Sequence, residues 1–214
     1  MGAPGAGKGT QAEIISKRLG IPAISTGEIL RTAVKNETPV GIKAKLFIEV
    51  GELVPDDVMI GIVRERLSEP DCKNGYILDG MPRTIAQAKA LESADIDVDA
   101  VLAIEISDDI IVERMSGRRT CPDCGATFHM ASAAPKTEGI CDSCGGSLEI
   151  RKDDEPETVR RRLDIYHSDT EPLKEFYKDR DIYMQVDNRA GIEATTKAVF
   201  ETLGILDDKT QIAL

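Results

Sequence analysis

The sequence predicts an α/β protein in which helices cover both faces of a doubly wound parallel sheet. Three observations support this fold class. Short apolar runs alternate with longer segments of helical periodicity, as they do in parallel α/β sheets. A glycine-rich loop stands directly before the first helical segment. Residues 117–154, called the insertion below, lack periodicity and are rich in Gly, Pro, Ser and Cys, which indicates an inserted subdomain.

The elements follow in chain order from periodicity, caps and breakers. Gly20 ends the first helical segment, and Ser25 is placed to cap the helix that begins after it. A turn at Gly51 separates the two helices that come next. Besides the helix capped by Ser25, helices are predicted at residues 10–18, 40–50, 56–67, 84–92, 108–115, 157–177 and 192–203. Strands are predicted at residues 21–24, 76–79, 98–106 and 182–186.

The loop at residues 2–10 reads GAPGAGKGT and contains the G-x-x-x-x-G-K pattern of a phosphate-binding loop. Glycines let successive backbone N–H groups point inward at an anion, and the following helix adds the positive end of its dipole. Lys8 supplies a cation for the β- and γ-phosphates, and Thr10 can face the metal or the phosphate. The alternative, a merely flexible glycine-rich segment, is disfavoured because a lysine stands in register before a helix.

The strand predicted at residues 76–79 ends in Asp79 and runs on into Gly-Met-Pro-Arg. A carboxylate at the end of a buried strand is the usual partner of a phosphate loop, because it can hold Mg²⁺ or its waters. Arg83 lies just beyond this strand end, where ligands bind in open α/β sheets. Without the loop, the same residues would indicate only a β-turn.

Arginines stand out in a chain whose formal net charge is −11. Phosphoryl transfer requires charge stabilisation, and a guanidinium offers paired donors that match phosphate oxygens. Arg118 and Arg151 flank the insertion at its two hinges, so closure of the insertion would deliver both to a ligand. Arg160 and Arg161 are interpreted as a solvated helix face. The other arginines singled out are Arg31, Arg83, Arg119 and Arg162.

Four of the five cysteines form two C-x₂-C pairs separated by sixteen residues, the spacing of a structural four-thiolate zinc site. A closed site of this kind has no position for water, so zinc would staple the insertion and take no part in catalysis. Iron in the same thiolate cage and two unrelated thiol pairs are the alternatives. The predicted ligands are Cys121, Cys124, Cys141 and Cys144.

Composition narrows the class of partners. The acidic chain, with a pI near 4.8, repels nucleic acids and anionic membranes taken as wholes. The absence of Trp and the scarcity of other aromatics leave little on which bases could stack. No apolar run reaches transmembrane length, and residues 1–5 do not resemble a signal peptide. We therefore expect a cytoplasmic protein with reduced thiols and no nucleic-acid or membrane partner.

Together these motifs resemble the adenylate kinase family, in the long bacterial form whose lid carries a zinc knuckle. The resemblance runs from residue 2 to about residue 203. Two departures are Met81, where Phe is usual, and Asn188, where Gly is common. The most specific pieces are GAPGAGKGTQ at residues 2–11, STGE at 25–28, DGMPRT at 79–84, RKDD at 151–154 and ETVRRRL at 157–163.

The resemblance implies the reversible reaction MgATP + AMP ⇌ MgADP + ADP, which serves adenine nucleotide homeostasis and salvage. No general base is required, because the phosphate of AMP is already an oxyanion. The catalytic residues would be Lys8, Arg83, Arg118, Arg151 and Arg162, with Asp79 near the magnesium. ATP would be held by Gly5, Ala6, Gly7, Lys8, Gly9, Thr10, Arg118, Thr127, Phe128 and the backbone near Ala190. AMP would be held by Thr26, Arg31, Glu52, Leu53, Val54, Gly80, Met81, Pro82, Arg83, Gln87, Arg151 and Arg162, with Gln87 reading the adenine edge.

The same resemblance implies a kinase core at residues 1–116 and 155–206, an AMP-binding flap at about residues 25–54, a zinc-stapled lid at residues 117–154 and a loose tail at residues 207–214. Closure would exclude water, so that ATP passes its phosphoryl group to AMP rather than to water. The expected partners are ATP, AMP and ADP, and the expected state is a monomer.

The family has a short apolar strand before the glycine loop, whereas this chain reaches the loop at residue 2. We therefore expect that Met1 is an internal methionine at the end of that strand and that the true chain starts earlier. The motifs leave three alternative functions: a UMP/CMP or other nucleoside monophosphate kinase, a zinc ribbon that binds nucleic acid, and a plain ATPase switch. The zinc lid, with Thr26 and Gln87, favours AMP.

Overall fold

The computed structural model describes residues 1–205 and has the predicted α/β class. The predicted tail at residues 207–214 lies outside the described residues. Helices alternate with parallel strands on both sides of the insertion. The helices are α1 Lys8–Leu19, α2 Thr26–Lys35, α3 Pro39–Val50, α4 Asp56–Leu67, α5 Ile85–Ser93, α6 Asp108–Gly117, α7 Pro156–Ile165, α8 Leu173–Lys178 and α9 Ile192–Leu203. The strands are β1 Ala23–Ser25, β2 Ile77–Asp79, β3 Val101–Glu105, β4 Arg118–Thr120, β5 Thr127–His129 and β6 Tyr183–Asp187.

Local chemistry accounts for most helix boundaries. The Ser25 hydroxyl accepts the Glu28 N–H at 3.4 Å, which confirms the predicted cap of α2. Thr84 caps α5 in the same way, with Gln87 N–H at 3.1 Å. Gly20 ends α1 in the left-handed conformation that favours glycine. The predicted helices at residues 56–67 and 192–203 agree with α4 and α9 residue for residue.

The prediction of one continuous helix over residues 157–177 is wrong. The chain instead forms α7, a π-helical turn at Tyr166–Thr170 and the short helix α8. Pro172 has no N–H to continue the ladder, so α8 starts afresh after it. In the π turn the Glu171 N–H donates to the Tyr166 carbonyl at 2.8 Å.

The parallel strands form two pairs. In one, β1 and β2 align Ser25 with Asp79. In the other, β3 and β6 align Glu105 with Asp187. Met1 lies alongside β3, where its amine donates to the Leu102 carbonyl and its carbonyl accepts the Ile104 N–H at 2.9 Å. Within residues 1–205 no strand joins the two pairs into a single sheet.

The core and the insertion are built differently. Apolar clusters join the helices to the parallel strands, for example Ile15 of α1 with Val186 of β6 and Val199 of α9. The insertion contains the antiparallel hairpin β4–β5 and contributes no residue to the apolar clusters of the described chain. None of the helices described here has the length and apolar character needed to span a membrane.

Candidate active site and metal centre

The glycine-rich loop is folded tightly against the ends of distant elements. Gly5 and Gly7 have φ values of 78° and 94°, in the left-handed region. A Cβ added to Gly5 would lie 2.8 Å from the Met115 sulfur, so the loop also requires glycine for space. At the start of α1, the N–H groups of the first turn have no intrahelical acceptor. The start of α1 therefore has unpaired N–H groups and the positive end of a helix dipole available to an anion, whereas the Ala6 N–H of the loop donates to the Ala3 carbonyl at 3.2 Å.

Lys8 is drawn into this loop. Its ammonium group donates to the Ala3 carbonyl at 2.8 Å. Loss of solvent lowers the pKa of Lys8 to about 8, with Asp79 opposing the shift and Arg83 adding to it. An anion bound beside Lys8 would restore the proton, because opposite charge favours the protonated form.

Asp79 and Arg83 lie at the carboxyl end of β2, at the mouth of the loop. A Cβ added to Gly9 would lie 3.6 Å from Asp79 Oδ2, which places the carboxylate beside the start of α1. The Arg83 Nε donates to the Gly80 carbonyl at 2.7 Å. Burial, followed by the neighbouring charge of Arg162, lowers the pKa of Arg83 to about 10.

A belt of charges crosses the base of the insertion. Arg118 Nε donates to Asp154 Oδ2 at 2.7 Å, so the two ends of the insertion are tied together. Arg162 Nη1 donates to Asp153 Oδ2 at 2.8 Å and lies 3.6 Å from an Asp154 carboxylate oxygen. The Asp154 side chain is fully buried. Buried carboxylates of this kind persist only when they are paired, so they hold the two arginines in place.

The arginines crowd one another. Burial is the first cause that lowers the pKa of Arg31, Arg151 and Arg162, and neighbouring guanidinium groups add to it. The pKa of Arg151 falls to about 10, and its buried Nε has no partner among the described residues. Although burial raises the pKa of Asp153, Arg162 and Arg118 hold it below its usual range. The arrangement is a cluster of cations that faces the cleft and that Asp153 and Asp154 neutralise only in part.

A small cavity of about 60 Å³ opens between α2, α4 and these arginines. It brings together most residues predicted to hold AMP. Thr26 is fully buried behind it, with its hydroxyl 3.3 Å from the Asp79 carbonyl. Residues of the predicted set that line this cavity are Arg31, Glu52, Leu53, Val54, Arg83, Gln87 and Arg162.

Gln87 is already engaged on both sides. Its Oε1 accepts the Arg83 N–H at 2.8 Å, and its Nε2 donates to Asp56 Oδ1 at 2.8 Å. A base that reads this amide must share or replace one of these bonds. The sequence carries no motif for the Asp56 contact, because 31 residues separate the partners.

A larger cavity of about 440 Å³ joins the loop to the space between the two strand pairs. Lys8, Asp79 and Arg162 line it on the loop side. Gly80, Met81, Pro82 and Arg83 line it where β2 ends. Of the residues predicted to hold ATP, only Lys8 is among the described residues that line this cavity. Arg83 and Arg162 line both cavities and lie where the two meet.

Other predicted residues lie farther out. Thr127 and Phe128 are on β5, paired with Thr120 and Arg119 of β4 rather than placed in either cavity. Ala190 is exposed in the loop after β6. Arg160 and Arg161 are exposed on α7, which agrees with their interpretation as a solvated helix face.

The four paired cysteines converge within the insertion. Their sulfur atoms all lie within 4.8 Å of one another, with Cys121 and Cys144 at 3.5 Å and Cys124 and Cys141 at 3.5 Å. A tetrahedral metal with sulfur ligands at about 2.3 Å requires sulfur atoms about 3.8 Å apart. The geometry and the donor set therefore fit a closed structural metal centre, which agrees with the predicted spacing.

Backbone turns present these sulfurs. The Gly125 N–H donates to the Cys121 carbonyl at 3.0 Å, and the Gly145 N–H donates to the Cys141 carbonyl at 2.9 Å. Both glycines have positive φ values, 76° and 78°. Two equivalent knuckles thus face each other across the centre.

Some contacts of the site are not predicted by any sequence motif. Asp153 and Asp154 belong to the RKDD segment, but their pairing with Arg162 and Arg118 from a 3-10 turn is visible only in the structure. Asn188 contacts the glycine-rich loop from the far end of the chain. Arg114, one turn before Arg118, donates to the Asn188 carbonyl at 2.8 Å. Only the order of the strands brings these residues to the loop.

Comparisons with known proteins agree with this geometry. Residues 1–182 match the family model described as adenylate kinase. An adenylate kinase of Caldicellulosiruptor saccharolyticus is 55% identical over 209 residues, which cover 96% of this chain and 97% of that protein. An adenylate kinase of Carboxydothermus hydrogenoformans is 49% identical over 207 residues, 95% of this chain and 97% of that protein. One of Clostridium tetani is 46% identical over 211 residues, 97% of this chain and 98% of that protein.

Proposed function

This chain belongs to the adenylate kinase family, and we propose a specific division of roles among the residues of its cleft. The reaction is phosphoryl transfer from ATP to AMP, which gives two ADP. The comparisons do not favour the alternatives, a pyrimidine monophosphate kinase and a nucleic-acid-binding zinc ribbon. The observation that supports the roles below is the convergence of one lysine and five arginines on the cleft beside the glycine-rich loop.

The loop binds the phosphates of ATP. The N–H groups of the loop and of the first turn of α1 donate to the β- and γ-phosphate oxygens, and Lys8 adds a positive charge. The loop residues assigned to ATP are Gly5, Ala6, Gly7, Lys8, Gly9 and Thr10. Thr127, Phe128 and the backbone near Ala190 complete the nucleotide site when the insertion closes as a lid.

AMP binds at the cavity beside α2, and the residues around the cavity move apart to admit it, because its volume of about 60 Å³ is well below the roughly 300 Å³ or more of a typical ligand pocket. Arg31 and Arg83 bind its phosphate, and Gln87 recognises the adenine edge. The backbone of residues 52–54 closes one side of the cavity, and Thr26 and residues 80–82 close another. This assignment is supported by the shared lining of the cavity and by the desolvated state of Arg83, since a buried guanidinium requires an anion.

Transfer needs no general base. The AMP phosphate attacks as an oxyanion, and the geometry must only align it with the γ-phosphate. Arg118, Arg151 and Arg162 supply donors for the charge on the transferring group. Asp153 and Asp154 hold two of these arginines in fixed positions and leave Arg151 free to engage the ligand.

Magnesium, bound with ATP, neutralises charge on the β- and γ-phosphates. Asp79 fits this role, because its carboxylate stands at the carboxyl end of β2 beside Gly9 and near Lys8. A carboxylate here would hold the waters of the ion rather than compete with the phosphate oxygens.

Zinc is the metal that best suits the cysteine cluster. Four thiolates in a compact tetrahedron with no open position form a structural site. The centre stiffens the insertion so that it moves as one unit. Reduced thiols are required for this, which supports a cytoplasmic location, and we assign the enzyme as a monomer.

A substrate panel tests the function, and one variant tests the roles. Turnover with ATP is measured against AMP, UMP, CMP and GMP, and AMP is expected to be preferred by at least a hundredfold in kcat/KM. Absence of AMP turnover would contradict the function. Arg31→Met is expected to raise the KM for AMP about tenfold or more while leaving the KM for ATP near its original value. An equal effect on both KM values would contradict the assignment of Arg31 to AMP.

A further inference from the structure

Asn188 lies at the carboxyl end of β6, directly behind the glycine-rich loop. Its N–H donates to the Glu105 carbonyl at 2.9 Å, which continues the pairing of β6 with β3. The residue is buried, yet no step proposed above uses it. Its side chain reaches the loop at Ala6, 182 positions away in the chain.

Both polar atoms of the Asn188 side chain are engaged. Nδ2 donates to the Ala6 carbonyl at 2.6 Å. Oδ1 lies 2.7 Å from the Thr195 hydroxyl, whose single proton is shared between Oδ1 and the Gly191 carbonyl, also at 2.7 Å. Thr195 is itself only 1% exposed and lies in the first turn of α9. Exchange of the amide nitrogen and oxygen would place two acceptors face to face at Ala6, so these contacts define a single orientation of the amide.

The orientation of the Ala6 carbonyl determines where the next amide points. The Ala6–Gly7 peptide is trans, so its C=O and N–H lie on opposite sides. Because the Ala6 carbonyl is directed at Asn188, the Gly7 N–H is directed away from Asn188. We propose that Asn188 is a positioning residue that holds the Ala6–Gly7 peptide in the orientation that presents the Gly7 N–H to an ATP phosphate.

The packing around Gly7 supports this role. A Cβ added to Gly7 would lie 2.5 Å from Asn188 Nδ2, so the amide rests directly on the loop. The Asn188 carbonyl also accepts from Arg114 of α6 at 2.8 Å. The loop is thus tied to β6, α9 and α6 through one residue. A glycine at position 188 would lack the side chain that makes the contacts to Ala6 and Thr195.

Steady-state kinetics of the full chain test the proposal. Asn188→Ala and Asn188→Gly are expected to raise the KM for ATP about tenfold, while the KM for AMP stays within about twofold of its original value. Asn188→Asp is expected to be at least as harmful, because a carboxylate cannot donate to the Ala6 carbonyl. Binding of tripolyphosphate, measured by calorimetry, is expected to weaken by the same factor as the KM for ATP rises.

Thr195 provides a graded control. Thr195→Val removes the hydroxyl that orients the amide and is expected to raise the KM for ATP about threefold. Thr195→Ser keeps the hydroxyl and is expected to match the unsubstituted protein. Asn74→Ala, at an exposed asparagine far along the chain, is expected to leave all kinetic constants unchanged.

The results separate this role from a merely structural one. Equal changes in both KM values, or a lower melting temperature with unchanged kinetics, would overturn the proposal. So would a Thr195→Ser variant as impaired as Thr195→Val. The inference rests on the proposed binding of ATP by the loop, which Lys8→Met tests independently. If Lys8→Met impairs ATP use and Asn188→Ala does not, only the role of Asn188 fails.

Discussion

The glycine-rich loop and the insertion hold their functional groups by opposite means. Contacts of the loop come from distant parts of the chain: Ala6 is bound by Asn188, and Gly2 packs against Ile104. Contacts of the metal centre are local, since Cys121 and Cys144 are only 23 positions apart in the chain. The insertion also contributes nothing to the apolar clusters of residues 1–205. An anion site therefore depends on the whole fold, whereas the metal centre depends on its own segment.

The largest expected effect comes from disrupting the metal centre of the insertion, whose contacts are local. Cys121→Ser removes one of the four thiolate ligands and is expected to abolish metal binding. The loss should be large for the insertion, because a structural zinc site supplies about 10–16 kcal/mol of folding free energy to its segment. The insertion should then lose its fold while the core still melts cooperatively. Metal content by atomic emission and the sites of limited proteolysis measure the two effects.

Cys72→Ser is the matched control for the metal centre. Cys72 is buried beside Arg66, outside the cluster, so this variant should keep its metal. Loss of metal from Cys72→Ser, or full metal content in Cys121→Ser, would contradict the four-cysteine assignment.

Next in size is the removal of the loop cation. Lys8→Met is expected to lower kcat/KM for ATP about a thousandfold, because a charge that stabilises the transferring phosphoryl group is lost. Thermal stability should hold or rise, since a desolvated ammonium is replaced by an apolar group. Lys17→Met, on an exposed position of the same helix, should behave like the unsubstituted protein. A change of less than tenfold would remove Lys8 from the catalytic group.

The charged belt between the two regions is expected to matter for stability. Asp154→Asn should lower the free energy of unfolding by about 3 kcal/mol, because it leaves Arg118 without its buried counter-charge, whereas Arg162 keeps Asp153. Denaturation in guanidinium chloride measures this change. Asp164→Asn, exposed on α7, should change the free energy of unfolding by less than about 0.5 kcal/mol. Equal changes in the free energy of unfolding for the two substitutions would mean that the charged belt does not contribute to stability.

A pH dependence should follow from the lowered pKa of Lys8. We assign the protonated form of Lys8 to ATP binding, and burial lowers the pKa of Lys8 to about 8. As pH rises above this value, kcat/KM for ATP is expected to fall by up to about tenfold per pH unit. Lys8→Arg keeps its charge in this range, so its profile should stay flat between pH 7.5 and about 9.5. A profile that falls equally in both proteins would assign the titration to another group.

The smallest effect is expected where the insertion touches α2. The Lys35 ammonium lies 3.0 Å from the Pro122 carbonyl and 3.1 Å from Asp123 Oδ1, but both side chains are more than half exposed. Such a pair contributes about 0.2–1 kcal/mol. Lys35→Met should therefore raise KM values by less than about fivefold, and added salt should reduce the difference. Lys43→Met, exposed on α3, controls for the lost charge; an effect as large as that of Lys35→Met would rule out a specific contact.

The same contrast explains what could be predicted from sequence. The cysteine cluster follows from spacing alone, and the helices α4 and α9 follow from periodicity. The break after α7 has one sequence signal, Pro172, which the prediction of a continuous helix overlooked, whereas the π turn at Tyr166–Thr170 follows from no periodicity because its sequence, YHSDT, is largely polar. The loop and Arg83 are visible as motifs, but Asn188 is not, because its contact depends on the order of β3 and β6.

The two ends of the insertion have a further consequence. We assign Arg118 and Arg151 to the transferring phosphoryl group. Arg118 is the first residue of β4, and Arg151 directly precedes the 3-10 turn before α7, so both would move with the insertion. If the insertion swings outward, the same movement that admits water also withdraws these charges. Exposure of bound ATP to the solvent and the ability to activate it are then mutually exclusive in time. Such coupling would suppress wasteful hydrolysis by timing, without any group dedicated to repelling water.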